Sequence, residues 1–199
     1  CRAHGLLWDL ACIRCNLVCV PVPPFFSAEQ VRHLLDSANI DTLIGELPGG
    51  VDPTELGFTP TAPLGWQRDA ADAATAPPLP AHTSKITFTS GTTGRPKGAM
   101  ESWGNLRTMA LCYFADVDDI AGTGAMLYAA PISHGAGMYV LPHILARPRH
   151  VVPESGGFDP GEILTLSAEL RDVSLFAAPP MVLRLSQPAH ARALHARPH

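Results

Sequence analysis

The sequence has few charged residues and no surplus of basic ones. Charged side chains make up 16% of its 199 residues, and the formal net charge at pH 7 is −4. Proteins that bind nucleic acid through its phosphate backbone need a strongly basic surface. The composition therefore excludes nucleic acid as an expected partner.

Long apolar runs are also missing. The best candidate, near the amino end, is interrupted by Asp9 and by prolines from Pro21 onward. It does not reach the roughly 18 to 20 apolar residues that a bilayer crossing needs. Hydrophobic residues still make up 46% of the chain, and a chain of this length buries roughly 70% of its unfolded surface. We therefore expect a folded, soluble protein without a transmembrane segment.

The chain lacks an initiating methionine and a leader pattern, so we expect a piece of a longer, cytoplasmic protein. Its five cysteines, an odd count, are typical of reduced thiols in that compartment. Cys12 and Cys15 have the spacing of some zinc and redox sites, but no second ligand pair follows at finger spacing. We interpret Cys12, Cys15 and Cys19 as small hydrophobes buried on one helix face.

Helical and strand patterns alternate along the sequence. Helices are predicted over residues 5–15, 28–38, 102–114, 135–145 and 160–170. Strands are predicted over residues 17–20, 40–44, 86–89, 125–130, 150–152 and 173–177. Two helix starts carry capping signals: Ser27 with Gln30, and Asp159 with Glu162.

Strands separated by helices predict an α/β fold, with a mostly parallel sheet and helices on both of its faces. Ligands of such sheets lie beyond the carboxyl ends of the strands. Residues 60–84 are rich in proline and alanine, and we expect them to form a connection along the surface.

One strand leads directly into a run of glycines and hydroxyl residues, the glycine–hydroxyl loop (residues 90–97). Gly91 and Gly94 permit positive φ angles and a close approach of the backbone to a ligand. The loop also carries Lys97, one of only two lysines in the chain. Its hydroxyl donors are Ser90, Thr92 and Thr93. These residue types together predict a cradle for an oligophosphate.

The loop differs from a Walker loop. Pro96 stands where that pattern has glycine, and Gly98 stands where it has serine or threonine. Proline has no N–H to donate to a phosphate. The chemistry predicted is therefore phosphate binding by another kind of loop.

The run from Thr89 to Gly98, TSGTTGRPKG, resembles the phosphate-binding signature of the AMP-forming adenylating superfamily. The resemblance implies that the loop holds the β- and γ-phosphates of ATP while a carboxylate attacks the α-phosphate. It implies catalytic roles for Lys97 and Thr92, and a place for Thr93 near Mg²⁺ held through the phosphates. The ATP-binding residues it implies are Thr89, Ser90, Gly91, Thr92, Thr93, Gly94 and Lys97.

A second run, PISHGAG at residues 131–137, follows a predicted strand and begins a predicted helix. Such a position suits a ligand cleft, although a lone histidine is more often structural. The run is similar to the acyl-pocket element of the same superfamily. That similarity implies that His134 and Gly135 line the path of the carboxylate substrate.

The resemblance covers nearly the whole chain, residues 1–199. It implies a partial N-terminal domain that binds ATP and the acyl group, without the small C-terminal domain and inactive alone. The implied enzyme is a fatty-acid or aryl-acid CoA ligase that uses ATP, Mg²⁺ and CoA. An amino-acid or acyl-carrier ligase and a non-catalytic nucleotide-binding module are the alternatives. Self-association into a homo-oligomer is also open.

Overall fold

The computed structural model describes residues 3–62, 65–69, 78–89 and 95–187. The chain divides into two compact units, the first unit (residues 12–103) and the second unit (residues 1–11 and 104–199). Both units combine helices with strands, so the predicted α/β class is confirmed. In the ranges given above, no helix combines the length and the apolar character that spanning a membrane requires.

Helix α1 (Ala3–Arg14) comes first in the chain, close to the predicted helix. The helix of the first unit that follows it is α2 (Ala28–Ser37). The strands described in this unit are β1 (Thr42–Ile44), β2 (Thr59–Thr61), β3 (Gly65–Gln67), β4 (Thr83–Thr89) and β5 (Lys97–Ser102). Short 3-10 turns lie at Pro48–Gly50 and Pro53–Leu56.

Helix α2 begins with the predicted capping box. The Ser27 hydroxyl accepts a hydrogen bond from the Gln30 amide at 3.3 Å, and the Gln30 side chain accepts one from the Ser27 amide at 3.0 Å. Its apolar face is fully buried in the core of the first unit, which also contains Ile86 and Phe88 of β4. The residues of that face are Val31, Leu34 and Leu35. The helix is thus fixed both at its start and along one side.

The sheets of the first unit are antiparallel, which differs from the expectation of a mostly parallel sheet. Strands β1, β3 and β2 form one sheet with β3 in the centre, and β4 pairs with β5 in a hairpin. Strands β2 and β3 lie within or next to residues 60–84, which were expected to be only a connection. Trp66 of β3 explains the difference, because its side chain packs against the core.

The predicted strand at residues 17–20 was wrong. Only Cys19 pairs there, through its amide to the Ser84 carbonyl at 3.0 Å and its carbonyl to the Ile86 amide at 2.9 Å. The following prolines have no N–H, so the pairing cannot continue. The expected cysteine face was also wrong, because α1 ends at Arg14 and Cys15 is exposed.

The second unit contains a parallel sheet with helices on both faces. Its order is β7-β6-β8, and β6 is buried along its whole length. Met126 packs with Val140 on one face, and Leu127 packs with Ile163 on the other. The elements are α3 (Trp103–Asp116), β6 (Ala125–Leu127), α4 (Gly135–Met138), α5 (Val140–Ala146), β7 (Arg149–Val151), α6 (Pro160–Glu169), β8 (Val173–Leu175) and α7 (Pro179–Leu185).

Prolines explain two further differences from the predicted elements. The helix expected over residues 135–145 is broken at Tyr139 into α4 and α5. Pro142 cannot donate to the Met138 carbonyl four residues earlier, but it is tolerated in the first turn of a new helix. Helix α7 was not predicted, and it begins with Pro179 and Pro180 in the same tolerated position.

Candidate active site

The β4–β5 hairpin brings the two ends of the glycine–hydroxyl loop together. Thr89, the last residue of β4, lies opposite Lys97, the first residue of β5. The Thr89 hydroxyl donates a long hydrogen bond of 3.5 Å to the Lys97 carbonyl, and both side chains are exposed. Because the strands are antiparallel, the hydroxyl and the cation predicted to bind phosphate flank the entrance and the exit of one loop.

The residues within the loop that carry most of the predicted phosphate contacts lie outside the described residues. These are Ser90, Gly91, Thr92, Thr93 and Gly94. Their roles toward ATP and Mg²⁺ therefore stay predictions. The two ends of the loop and the residues that hold those ends lie within the described ranges.

The surroundings of Gly98 explain why this position does not suit the serine or threonine of a Walker loop. A Cβ atom at position 98 would lie 2.7 Å from Cγ2 of Ile86 and 3.1 Å from the Phe88 ring. Serine or threonine there would therefore force the two buried side chains of β4 apart. The glycine lets β5 pass close to the core immediately after Lys97.

The exit of the loop has a second support, which the sequence did not predict. The Nε2 atom of His33 on α2 lies 3.1 Å from the carbonyl oxygen of Pro96. Pro96 is buried, whereas its neighbours Arg95 and Lys97 are exposed. The contact joins residues 63 positions apart, so no local pattern could have indicated it.

His134 and Gly135 follow the carboxyl end of β6, where the predicted fold expects a ligand. His134 is the N-cap of α4 and is half-buried. Its amide donates to the Pro131 carbonyl at 3.1 Å, and its carbonyl accepts from the Gly137 amide at 2.9 Å. The backbone of His134 is thereby held in a tight turn at the end of the strand.

Gly135 lies against an aromatic ring. A Cβ atom at this position would come 2.9 Å from Cζ of Phe176. Phe176 follows β8, and the carboxyl ends of parallel strands meet at one edge of a sheet. The Tyr139 ring lies 5.3 Å from the Phe176 ring. The predicted substrate residue Gly135 therefore borders an aromatic surface.

Burial favours the neutral form of two groups behind this surface. His143 is buried and donates from Nδ1 to the Tyr139 carbonyl at 2.7 Å, and burial lowers the pKa of His143 below its usual value of 6.5. Burial also raises the pKa of Tyr128, whose hydroxyl lies 2.8 Å from Nδ1 of His150. A partly aromatic environment suits the apolar part of an organic acid.

Metal-binding side chains do not cluster in the part of the chain that the structure describes. Within those ranges, no group of three or more histidine, cysteine, aspartate or glutamate residues could hold a metal ion. Cys12 and Cys15 are not disulfide-bonded and belong to no such group among the described residues.

Comparisons with known proteins identify the family of this chain. Residues 2–198 match the family model for AMP-binding enzymes, and the chain belongs to that family. A feruloyl-CoA synthase from an Amycolatopsis species is 32% identical over 189 residues, covering 92% of this chain and 37% of the synthase.

Two further similarities extend the comparison. A medium/long-chain-fatty-acid–CoA ligase, FadD8 of Mycobacterium tuberculosis, is 26% identical over 171 residues, covering 85% of this chain and 29% of the ligase. The amide bond synthetase McbA from Marinactinospora thermotolerans has a TM-score of 0.68 at 22% identity, covering 94% of this chain and 40% of that chain. The last similarity concerns the fold. The chain thus spans little more than a third of the feruloyl-CoA synthase and less of the ligase.

Proposed function

We propose that this chain is the ATP- and acyl-binding part of an enzyme that converts a carboxylic acid and ATP into an acyl-adenylate and then an acyl-CoA thioester. The observation that carries the proposal is Lys97 facing Thr89 across the ends of the glycine–hydroxyl loop, in a member of the AMP-binding enzyme family. A mobile ammonium group beside glycines and hydroxyls suits a flexible oligophosphate.

The proposed reaction explains why these residue types are needed. A carboxylate oxygen attacks the α-phosphorus of ATP, the bond to the β-phosphate breaks, and pyrophosphate leaves. Both reactants are anions, so catalysis consists mainly of charge neutralisation and alignment. We assign that task to Lys97 and Thr92. The phosphate contacts are assigned to Thr89, Ser90, Gly91, Thr93 and Gly94.

Mg²⁺ fits this assignment as an ion held mainly by the phosphates. The described residues offer no cluster of acidic or metal-ligating side chains, and Mg²⁺ commonly keeps several waters and binds through substrate phosphates. The hydroxyl of Thr93 is its proposed protein contact. The ion would neutralise charge that develops on the phosphate oxygens.

We further propose an aryl carboxylic acid as the substrate class, with a fatty acid as the second candidate. His134 and Gly135 would line its path, beside the Phe176 and Tyr139 rings. Aromatic rings stack favourably with an aryl group. The similarity to feruloyl-CoA synthase supports the aryl acid, and the lower similarity to the fatty-acid ligase supports the alternative.

ATP–pyrophosphate exchange by the full-length protein tests the proposal. We expect exchange that depends on an added acid, strongest with aryl acids in a panel of aryl, fatty and amino acids. A folded full-length protein without exchange for any acid would contradict the enzymatic function. Exchange limited to amino acids would instead identify an amino-acid ligase.

Lys97→Ala tests the role of the loop. Removing one preorganised charge partner of the reacting phosphates should lower the exchange rate about a hundredfold. Its thermal stability should stay unchanged, because the Lys97 side chain is exposed. Arg107→Ala, which removes an exposed cation of α3, is the matched control. Equal rates for both variants would exclude Lys97 from phosphate binding.

A further inference from the structure

We propose that His33 is a positioning residue for the glycine–hydroxyl loop: its Nε2–H fixes the Pro96 carbonyl and thereby the backbone from which Lys97 extends. This inference rests on the proposed function, because a fixed backbone at Pro96 affects catalysis only if Lys97 binds phosphate. The contact itself can be tested without any enzymatic activity. A residue on a helix far away in sequence would then control how the loop presents its cation.

The contact is specific because Pro96 has a single backbone group that can form hydrogen bonds. Proline has no N–H, so its carbonyl is its only such group. That oxygen lies 3.1 Å from Nε2 of His33, and Pro96 is buried. A buried carbonyl without a partner costs free energy, so loss of the imidazole would favour a change in the backbone at this point.

His33 is suited to this role because the helix that carries it is rigid. A capping box fixes the start of α2. Leu34, next to His33, is fully buried in the core that contains Ile86 and Phe88 of β4. Strand β4 ends at Thr89, where the loop begins. The entrance and the exit of the loop are therefore held against the same core.

The hydrogen bond also determines the state of the imidazole. A carbonyl oxygen can only accept, so the hydrogen must be on Nε2 of His33. The same peptide group contains the Pro96 carbonyl and the Lys97 amide nitrogen. A hydrogen bond to that carbonyl polarises the peptide group, so the ¹⁵N resonance of the Lys97 amide reports the contact directly.

NMR of the 199-residue chain tests the contact first. We expect the imidazole of His33 to carry its hydrogen on Nε2, and we expect His33→Phe to shift the Lys97 amide ¹⁵N resonance. The Glu101 amide, further along β5, should stay in place. A hydrogen on Nδ1 in the neutral imidazole, or an unmoved Lys97 resonance in the variant, would overturn the proposal.

Kinetics of the full-length protein test the positioning role. Loss of one hydrogen bond that orients a phosphate-binding group should raise the KM for ATP about fivefold in His33→Phe. We expect the KM for the carboxylic acid to change less than twofold, since His33 does not contact the acid in this account. His33→Gln should restore the KM for ATP, because its amide nitrogen has a similar reach and donates a hydrogen.

Ser37→Ala is the matched control on the same helix. The Ser37 hydroxyl donates to the Leu34 carbonyl within α2, at 3.3 Å, so its loss should leave the KM for ATP unchanged. An equal rise of KM in Ser37→Ala, or no rescue by His33→Gln, would show that His33 merely stabilises the helix. If the wild-type protein lacks exchange, the proposed function fails. The NMR result still decides whether His33 holds Pro96.

Discussion

The two units hold their candidate residues in different ways. In the first unit, the ends of the glycine–hydroxyl loop are held by hydrogen bonds between segments distant in sequence, namely the β4–β5 ladder and the His33–Pro96 contact. In the second unit, His134 is held by a compact turn of neighbouring residues after a buried strand. The first arrangement depends on several distant residues, whereas the second depends on the local backbone.

Gly137→Ala tests the local turn of the second unit, and we expect it to destabilise the protein most. A Cβ atom at position 137 would collide with the Ile132 carbonyl oxygen in the turn around His134. We expect the free energy of unfolding to fall by about 3 kcal/mol or more, measured by chemical denaturation. Gly157→Ala is the control, because nothing lies within 4 Å of its added methyl group. Equal stability of the two variants would contradict the tight turn.

Leu34→Ala should have the next largest effect, this time in the first unit. Leu34 is fully buried, and such truncations cost about 2 to 5 kcal/mol. Amide hydrogen exchange should accelerate most at Ile86 and Phe88, which share its core, and least at Leu127. Faster exchange spread evenly over both units would show that the core around Leu34 does not unfold separately from the second unit.

A smaller effect is expected from Ser27→Ala, which removes one half of the capping box of α2. Loss of an N-cap hydroxyl costs about 1 kcal/mol, which thermal unfolding can detect. Ser186→Ala is the comparison variant, because that hydroxyl donates to the Leu183 carbonyl at the end of α7 and caps no helix start. A stability of Ser27→Ala equal to that of wild type would mean that core burial alone holds α2.

The smallest effect concerns pH and the second unit. Burial lowers the pKa of His143 and of His150 in the folded state, so below pH 6.5 the unfolded chain binds protons that the folded chain does not. The stabilisation is therefore fully present above about pH 6.5, and the free energy of unfolding falls as the pH decreases. Each histidine contributes at most about 1.4 kcal/mol for each pH unit by which folding lowers its pKa. The negative charge of Asp118 acts in the opposite direction and raises the pKa of His143.

Melting temperatures between pH 8 and 5 measure this dependence. His143→Gln should reduce the slope below pH 6.5, and His150, whose pKa is also lowered by burial, should still contribute. A variant with the same slope as wild type would show that other groups titrate on unfolding. A slope of opposite sign would mean that His143 is stabilised as a cation in the fold.

Local signals predicted the second unit well. Asp159 at the N-cap, Pro160 in the first turn and Glu162 three positions later lie where the sequence placed them, with the Asp159 side chain accepting from the Glu162 amide at 2.8 Å. The buried strand at residues 125–130 was also recognised, although its paired part ends at Leu127. These features depend on residues within one or two turns of each other.

Long-range contacts explain what the sequence did not indicate. Strand β5 has the sequence KGAMES, without the alternation of a strand, and it forms because β4 lies beside it. Arg68 donates to the carbonyls of Ile40 at 2.7 Å and Leu35 at 3.2 Å, and it lies over the Phe58 ring. No spacing pattern identifies such partners, because the tertiary fold brings them together.

The close approach of Gly98 to Phe88 and Ile86 also bears on how this hairpin could vary among related chains. A methyl group at position 98 needs space that only a smaller side chain at position 88 or 86 would provide. Substitutions at these positions should therefore occur in pairs. In a library randomised at 86, 88 and 98 together, we expect functional clones with alanine at 98 to carry a side chain without a Cγ2 atom at 86, where the closest contact lies.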